Sequence, residues 1–233
     1  LPGVQANSIA SSLQTAVGIS PNVTAAVLAV ALGFIIFGGV KRIATFAEIV
    51  VPFMALGYIV LALIVVFLNL DRVPAIFSLI FSDAFTAQAG FGAAIGWGVK
   101  RGIYSNEAGQ GTGPHAAAAA EVEHPAQQGL VQAFSVYVDT LFVCTATALM
   151  ILITQQYNVV GELPAGQFIV QNVAANTEIG SAAFTQMALL SVFGDFGQWF
   201  VGLALFFFAF TTILAYYYIT ETNVAYLNRV FNN

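Results

Sequence analysis

Two adjacent threonines, Thr211 and Thr212, interrupt an otherwise apolar run, LALFFFAFTTILAYYY. A hard cation binds oxygen ligands, and two hydroxyls with a nearby carbonyl, such as that of Phe208, would supply three of them. The alternative is structural, because threonine hydroxyls in membrane helices commonly bond to carbonyls of their own helix. Tyr216 follows Thr212 by four residues and shares its helical face. The spacing leaves both an ion site and a purely structural role open.

Glycines form a second group, in the stretch DAFTAQAGFGAAIGWGV, where Gly90 and Gly92 flank Phe91. Glycine weakens a helix by about 1 kcal/mol relative to alanine and lets a ligand approach the backbone. Transporters use such breaks to bind ions and carboxylates with freed backbone groups. Glycines four apart, at 92 and 96 and at 98 and 102, also match the pattern of close helix contacts. Both interpretations stay open.

One polar stripe follows, because Gln128, Gln132, Ser135 and Asp139 are spaced four, three and four residues apart. A stripe of this kind points at protein or water rather than lipid. The carboxylate would either relay protons or stabilise packing by bonding to a neighbour, and we interpret it as structural.

Other chemistry finds little support in the sequence. The GQGTG turn lacks the Lys-Ser/Thr of a phosphate-binding loop and does not follow a strand, so nucleotide binding is not expected. His115 and His124, with Glu121 and Glu123, have poor spacing for a metal site and are interpreted as solvated polar residues. Because no nucleophile–base arrangement occurs at matching membrane depth, we predict neither an enzyme nor a cofactor.

The elements that position these residues are predicted from composition. The chain of 233 residues is 59% hydrophobic and 7% charged, against roughly 25% charged in soluble domains. A net charge of −5 offers no basic patch for nucleic acid, and a single cysteine excludes an internal disulfide. The sequence therefore predicts an all-α integral membrane protein in contact with the lipid bilayer.

Apolar stretches predict five membrane spans and one shorter apolar segment. The spans cover about 23–40, 46–68, 83–99, 127–154 and 196–227, and the short segment covers 75–81. Segment 155–195 is too polar to span and is expected outside, with short helices at 166–174 and 182–193. Alternating spans put five of the six cations on one side, which the positive-inside rule assigns to the cytoplasm: Lys41, Arg42, Lys100, Arg101 and Arg229.

The chain resembles the alanine or glycine:cation symporter family in four stretches. These are GWGVKRGIYSNEAGQGTGPHAAAAAEVEHPAQQGLVQAFSVYVDTLFVCTATALMIL, GGVKRIATFAEIVVPFMALGYI, VQANSIA and, less closely, FAFTTILAYYYITET. The resemblance covers essentially the whole chain and implies a partial LeuT-like inverted-repeat bundle. On that basis residues 1–233 form a single partial transmembrane domain, from the end of core helix 3 through core helix 8, with a broken sixth helix. The first core helices and the C-terminal helices are expected to lie outside it.

The resemblance also implies site residues. Thr211 and Thr212, with the carbonyl of Phe208, match the eighth-helix part of a sodium site, and Thr212 and Tyr216 match the substrate pocket. Also matched to the substrate site are Gly90, Phe91 and Gly92 of the unwound sixth helix and Gln5 and Asn7 of the third-helix QAN motif. The family usually has Trp where this chain has Tyr216, a smaller ring with a hydroxyl, which bears on selectivity for alanine-sized substrates.

The function implied is secondary active symport of a small neutral amino acid, alanine or glycine, coupled to sodium across a bacterial plasma membrane. Phe91 and Tyr216 are then expected to act as apolar walls of the substrate pocket. A proton-coupled transporter of the same fold is the alternative, and a channel or a non-transporting sensor is less well supported. No nucleic-acid partner is expected.

Overall fold

The computed structural model describes residues 2–86, 91–118, 120–160, 168–175 and 182–231. These residues are mainly helical, as the composition predicts. Three helical stretches are long and apolar enough to cross a membrane: Arg42–Leu68, Pro125–Ile153 and Asp195–Phe231. The chain is therefore a helical membrane protein. It divides into two compact units, and the prediction of a single domain over 1–233 is not tested by this division.

The first unit contains residues 1–68 and 147–216. Its elements are α1 (Pro2–Val17), α2 (Pro21–Ile36), α3 (Gly39–Leu68), most of α8 (Thr145–Ile153), β1 (Asn158–Val160), β2 (Phe168–Gln171), α9 (Ala183–Phe193) and the first part of α10 (Asp195–Phe231).

Local sequence sets the start and end of α2. Ser20 caps its N-terminus, where the side chain accepts a hydrogen bond from the backbone of Val23, and Pro21 occupies the first turn. The helix ends at Ile36, and Gly39 then adopts a φ of 74°, which suits glycine. The prediction of one span over 23–40 is therefore wrong at its C-terminal end. By contrast, α3 continues through Pro52 as expected.

In the first unit, α1 packs against α9 and α10. The buried side chain of Gln186 on α9 donates through Nε2 to the Ser12 carbonyl at 3.0 Å. On α10, Gln198 Nε2 donates to the Thr15 carbonyl at 2.9 Å. Gly202 lies against α1, because a Cβ there would be 3.0 Å from that of Ala16. These amide-to-carbonyl bonds fix α1 beside the helix that carries the two threonines.

A β-hairpin replaces the first of the two helices predicted in the 155–195 segment. Strands β1 and β2 pair antiparallel, with Val159 opposite Val170. Asn158 stabilises the pair, because its Oδ1 accepts from the backbone of Asn172 and Val173 and its Nδ2 donates to the Val173 carbonyl. The prediction of a helix over 166–174 is wrong in the described residues, whereas α9 confirms the one predicted over 182–193.

The second unit contains residues 69–146 and 217–233. Its elements are α4 (Val73–Ala84), α5 (Phe91–Asn106), α6 (Thr112–Ala117), α7 (Pro125–Tyr137), a π-helical turn (Val138–Cys144) and the end of α10.

Helix α4 corresponds to the short apolar segment predicted over 75–81, whereas the bounds predicted for the span over 83–99 are wrong. Helix α4 ends at Ala84, and α5 runs from Phe91 to Asn106. It continues through Lys100 and Arg101 because their cations stack on the Trp97 ring, at 4.6 and 5.7 Å from its centroid. A hydropathy boundary placed at the first cation therefore ends the helix too early.

Candidate functional site

The two threonines lie near the middle of α10, on its best-packed stretch. The run from Val201 to Leu214 has few polar groups, and its side chains form much of the first unit's core. Buried neighbours on this helix are Ala209, Phe210, Ile213 and Leu214. Thr211, Thr212 and Phe208 themselves are half-buried. The packed neighbours hold the backbone that carries these oxygens.

Both hydroxyls of this turn lie within hydrogen-bonding distance of the same carbonyl oxygen. Thr211 Oγ1 donates to the carbonyls of Phe207 at 3.0 Å and Phe208 at 2.9 Å. Thr212 Oγ1 donates to the same Phe208 carbonyl at 3.0 Å. The Phe208 oxygen is thus the meeting point of both hydroxyls. These are the intrahelical bonds that the structural interpretation predicts.

The same bonds leave acceptor capacity on both threonines. A hydroxyl carries one hydrogen and two lone pairs, so each Oγ1 that donates inward keeps lone pairs directed away from its helix. The Phe208 carbonyl already accepts both hydroxyls, and it gains a free lone pair only when their hydrogens turn away. The observed turn is closed on itself, and it would offer three oxygens to a cation only after both hydroxyls rotate.

An aromatic contact supports this turn from α3. The buried Tyr58 ring meets the Phe208 ring edge-on, with centroids 6.5 Å apart. Its hydroxyl lies 2.7 Å from Thr147 Oγ1 on α8, a hydrogen bond in which either atom donates. Sequence reasoning missed Tyr58 and Thr147. Each is a polar side chain within a predicted membrane span, Tyr58 in 46–68 and Thr147 in 127–154. The sequence does not indicate that these two side chains meet.

Helix α1 brings Gln5 and Asn7 into the same unit as the threonines. Near its C-terminus α1 contacts α10, through Thr15 with Gln198 and through Ala16 with Gly202. Gln5 is half-buried and Asn7 exposed.

The other predicted substrate residues are placed as follows. Tyr216 is half-buried on α10, one turn after Thr212. Gly90 lies outside the described residues, and Phe91 and Gly92 are the first two residues of α5. A Cβ added at Gly96, Gly98 or Gly102 would meet nothing within 4 Å, so the close contacts predicted for these three glycines are not observed.

The polar stripe of α7, predicted to face protein or water, faces other parts of the second unit at three of its four residues, whereas Ser135 is exposed. Gln128 and Gln132 line a cleft of about 630 Å³ between α6 and α7. Ser135 donates to the Gln132 carbonyl at 2.7 Å. Asp139 accepts from Ser105 of α5, with Oγ to Oδ1 at 2.9 Å. Sequence reasoning identified the carboxylate but not its partner, which comes 34 residues earlier in the chain.

Metal-binding side chains do not cluster in the part of the chain that the structure describes: no group of three His, Cys, Asp or Glu residues is arranged to hold an ion there. His124 has a local role instead. Its Nδ1 accepts from the backbone of Ala126 at 3.1 Å, and Gln127 Oε1 accepts from the His124 backbone, which forms a capping box at the start of α7.

Comparison with known proteins yields one family and a set of close relatives. A family model described as the sodium:alanine symporter family matches residues 1–232. YrbD of Bacillus subtilis (strain 168) is 62% identical over 98% of this chain and 47% of its own length. A protein of Bacillus sp. (strain PS3), named a sodium/proton-dependent alanine carrier protein, is 58% identical over 98% of this chain and 52% of its own length. The sodium/alanine symporter AgcS of Methanococcus maripaludis is 39% identical over 96% of this chain and 47% of its own length. The chain thus spans about half the length of these relatives.

Proposed function

Because the chain belongs to the sodium:alanine symporter family, we propose that it takes part in secondary active symport, in which sodium influx drives uptake of alanine or glycine. Two relatives support the substrate, since their names assign them to alanine transport coupled to sodium, or to sodium and protons. The proposed location is the plasma membrane of a bacterium. Transport by alternating access makes and breaks no covalent bond, so the proposed activity is not enzymatic.

The observation that carries this proposal is the oxygen cluster at the middle of α10. Phe208, Thr211 and Thr212 present three oxygens on one turn of a long apolar helix. Oxygen is the ligand that alkali and alkaline-earth cations require. Water is scarce at this depth, so an ion arriving there needs protein oxygens in place of its hydration shell.

Sodium binding would change the hydrogen bonding of this turn. The positive ion repels the hydroxyl hydrogens, which turn away from the Phe208 carbonyl and free its lone pair for the ion. The two hydrogen bonds from the hydroxyls to the Phe208 carbonyl are lost, while three bonds from oxygen to sodium form. The ion thereby converts the closed arrangement of the turn into the open one, which orders Thr212 for the substrate.

The substrate is proposed to contact Thr212 and Tyr216, which lie one turn apart on the same face of α10. Gln5 and Asn7 on α1 are proposed as further polar contacts, since α1 is bonded alongside α10. The roles of Gly90, Phe91 and Gly92 stay predictions of the family resemblance.

The proposed architecture is LeuT-like. Helix α1 would be the end of core helix 3, α2 and α3 the fourth and fifth, and α4 and α5 the two halves of the broken sixth helix. The continuous helix Pro125–Ile153 would be the seventh and α10 the eighth. Helix α9 and the β-hairpin would cover the external face. The first core helix would then supply the remaining sodium ligands.

Uptake under imposed gradients tests the function. The full-length carrier is reconstituted into liposomes and given labelled alanine or glycine, with an inward gradient of sodium or of protons. We expect accumulation that requires inward sodium. Accumulation under the proton gradient alone would reassign the coupling ion. Equilibration without accumulation would indicate a channel, and binding without any flux would indicate a sensor.

A further inference from the structure

Asp139 has no part in the sodium cluster, yet it lies at the middle of a membrane-spanning helix. It is the single Asp, Glu, Lys or Arg of the continuous stretch Pro125–Ile153, with as many residues before it as after it. A charged side chain at this depth is costly, so carboxylates there are uncommon and tend to be functional.

The hydrogen bond from Ser105 does not by itself account for a carboxylate. An asparagine at 139 would accept the same bond through its amide oxygen without placing a charge in the membrane. In the part of the chain that the structure describes, the partners of Asp139 are the neutral side chains of Ser105 and Cys144. The negative charge is therefore not balanced by a lysine or arginine in this unit.

The π-helical turn brings Cys144 to the carboxylate. In an α-helix, residues five apart point about 140° away from each other, because each residue turns the chain by 100°. The wider turn over Val138–Cys144 reduces that angle, and Cys144 Sγ reaches Oδ2 of Asp139 at 3.9 Å and Ser105 Oγ at 3.4 Å. π-Helical turns occur often at functional sites. Each carboxylate oxygen thus has its own neutral donor.

Apart from Cys144, no titratable side chain of the described residues bonds to this carboxylate. The element packed against the π-helical turn is α5, whose Lys100, Arg101 and Tyr104 line a separate cleft of about 560 Å³ with Trp97. The two cations stack on the Trp97 ring. Glu107 follows the end of α5, and Tyr137 of α7 is exposed. Cys144 is the titratable group in contact with the carboxylate.

We propose that the carboxylate of Asp139 takes up and releases a proton during the transport cycle, while Ser105 and Cys144 hold it in position. This inference rests on the proposed function. A proton from water binds Oδ2 and gives a neutral carboxylic acid; it returns to water when the acid ionises. The ionised form accepts from Ser105 and Cys144, and in the neutral form the new O–H donates while the Cys144 sulfur accepts.

The test measures sodium-driven alanine uptake by the full-length carrier in liposomes, at a series of pH values kept equal on both sides. We expect the wild-type rate to pass through an inflection that Asp139→Asn abolishes and that Asp139→Glu retains at a displaced pH. Asp71→Asn, which changes an exposed carboxylate in the turn before α4, is the matched control and should keep the wild-type profile. An inflection that survives in Asp139→Asn overturns the proposal.

Ser105→Ala separates proton binding from helix packing. Removing the donor changes the hydrogen bonding of the ionised oxygen, so the inflection of the uptake rate should be displaced from its wild-type pH. If Asp139 only packs α7 against α5, Ser105→Ala lowers thermal stability and leaves the pH of the inflection where it is. That result contradicts the proposal.

A direct readout keeps the test independent of transport. Infrared difference spectra of the purified full-length carrier should show a protonated carboxyl band that titrates with the uptake inflection and is missing in Asp139→Asn. This measurement decides the matter when Asp139→Asn is folded but inactive. If that variant does not fold, the spectra of Ser105→Ala decide, since their band should titrate at the displaced pH. If the wild type does not accumulate alanine under either gradient, the proposed function alone is rejected. If the infrared band is unchanged in Asp139→Asn, the proton site alone is rejected.

Discussion

The two oxygen clusters of this chain lie in units that are packed very differently. Thr211 and Thr212 belong to the first unit, which holds every buried apolar side chain of the described residues except Ile76. Asp139 belongs to the second unit, where bonds between polar side chains connect α5 to the π-helical turn. In the most apolar 18-residue stretch of α10, 39% of the residues are buried, whereas in that of Pro125–Ile153 the share is 11%.

This difference matches what each proposed ion needs. A metal cation exchanges its hydration shell for several oxygens at fixed distances, so its ligands must be held by well-packed surroundings. A proton needs one basic oxygen, and neighbouring hydrogen bonds adjust to the new charge. A packed helix suits the first task, and a carboxylate with rotatable hydroxyl and thiol partners suits the second.

Gly197→Ala should have the largest effect, because it breaks the packing that distinguishes the first unit. A Cβ at this position would overlap the carbonyl group of Leu189, which is backbone and cannot turn aside. We expect a loss of about 3 kcal/mol in unfolding free energy, measured as a lower midpoint of thermal unfolding in detergent. Stability equal to the wild type would show that α9 and α10 are not in this close contact.

Thr212→Val sharpens the assignment of sodium to the packed cluster. Valine keeps the shape of threonine and removes the oxygen, so the sodium concentration for half-maximal uptake should rise about tenfold, equivalent to ~1.4 kcal/mol. Thr212→Ser retains the oxygen and is the matched control, with near-normal sodium dependence. Unchanged sodium dependence in Thr212→Val would remove Thr212 from the site and leave only its intrahelical bond.

Tyr58→Phe tests whether the hydrogen bond between Tyr58 and Thr147, next to Phe208, contributes to the free energy of unfolding. The change deletes the hydroxyl that bonds to Thr147 at 2.7 Å and keeps the ring against Phe208. We expect a loss of about 1 kcal/mol in unfolding free energy. Combining it with Thr147→Val should cost less than the sum of the two single changes. Strict additivity would mean that the two side chains do not interact.

Gly98→Ala should have the smallest effect and serves as the second unit's counterpart to Gly197→Ala. Nothing lies within 4 Å of a Cβ at Gly98, and alanine favours the helix. Thermal stability should therefore change by no more than about 1 kcal/mol, in the stabilising direction. A large destabilisation would show that the full-length carrier packs another helix against this face of α5.

Much of the helical framework was predictable from hydropathy. The predicted spans 46–68, 127–154 and 196–227 correspond to α3, to the continuous helix Pro125–Ile153 and to α10. Errors arose where a local backbone feature outweighed apolar composition: the turn at Gly39 ended α2 early, and stacking on Trp97 carried α5 past two cations. Segment 166–174 was mispredicted because β2 depends on a partner strand, which a helical hydropathy window does not detect.

Features that depend on neighbours along one helix follow directly from the amino-acid order. Apolar length gives the membrane helices, and the spacing of Phe208, Thr211 and Thr212 places their oxygens on one turn, since helical geometry repeats every 3.6 residues or so. The side chains that meet across helices depend instead on how the helices pack together. Ser105 bonds to Asp139 and Tyr58 to Thr147 across separations of 34 and 89 residues. Periodicity tells which face a residue occupies, and packing alone selects the helix that covers that face.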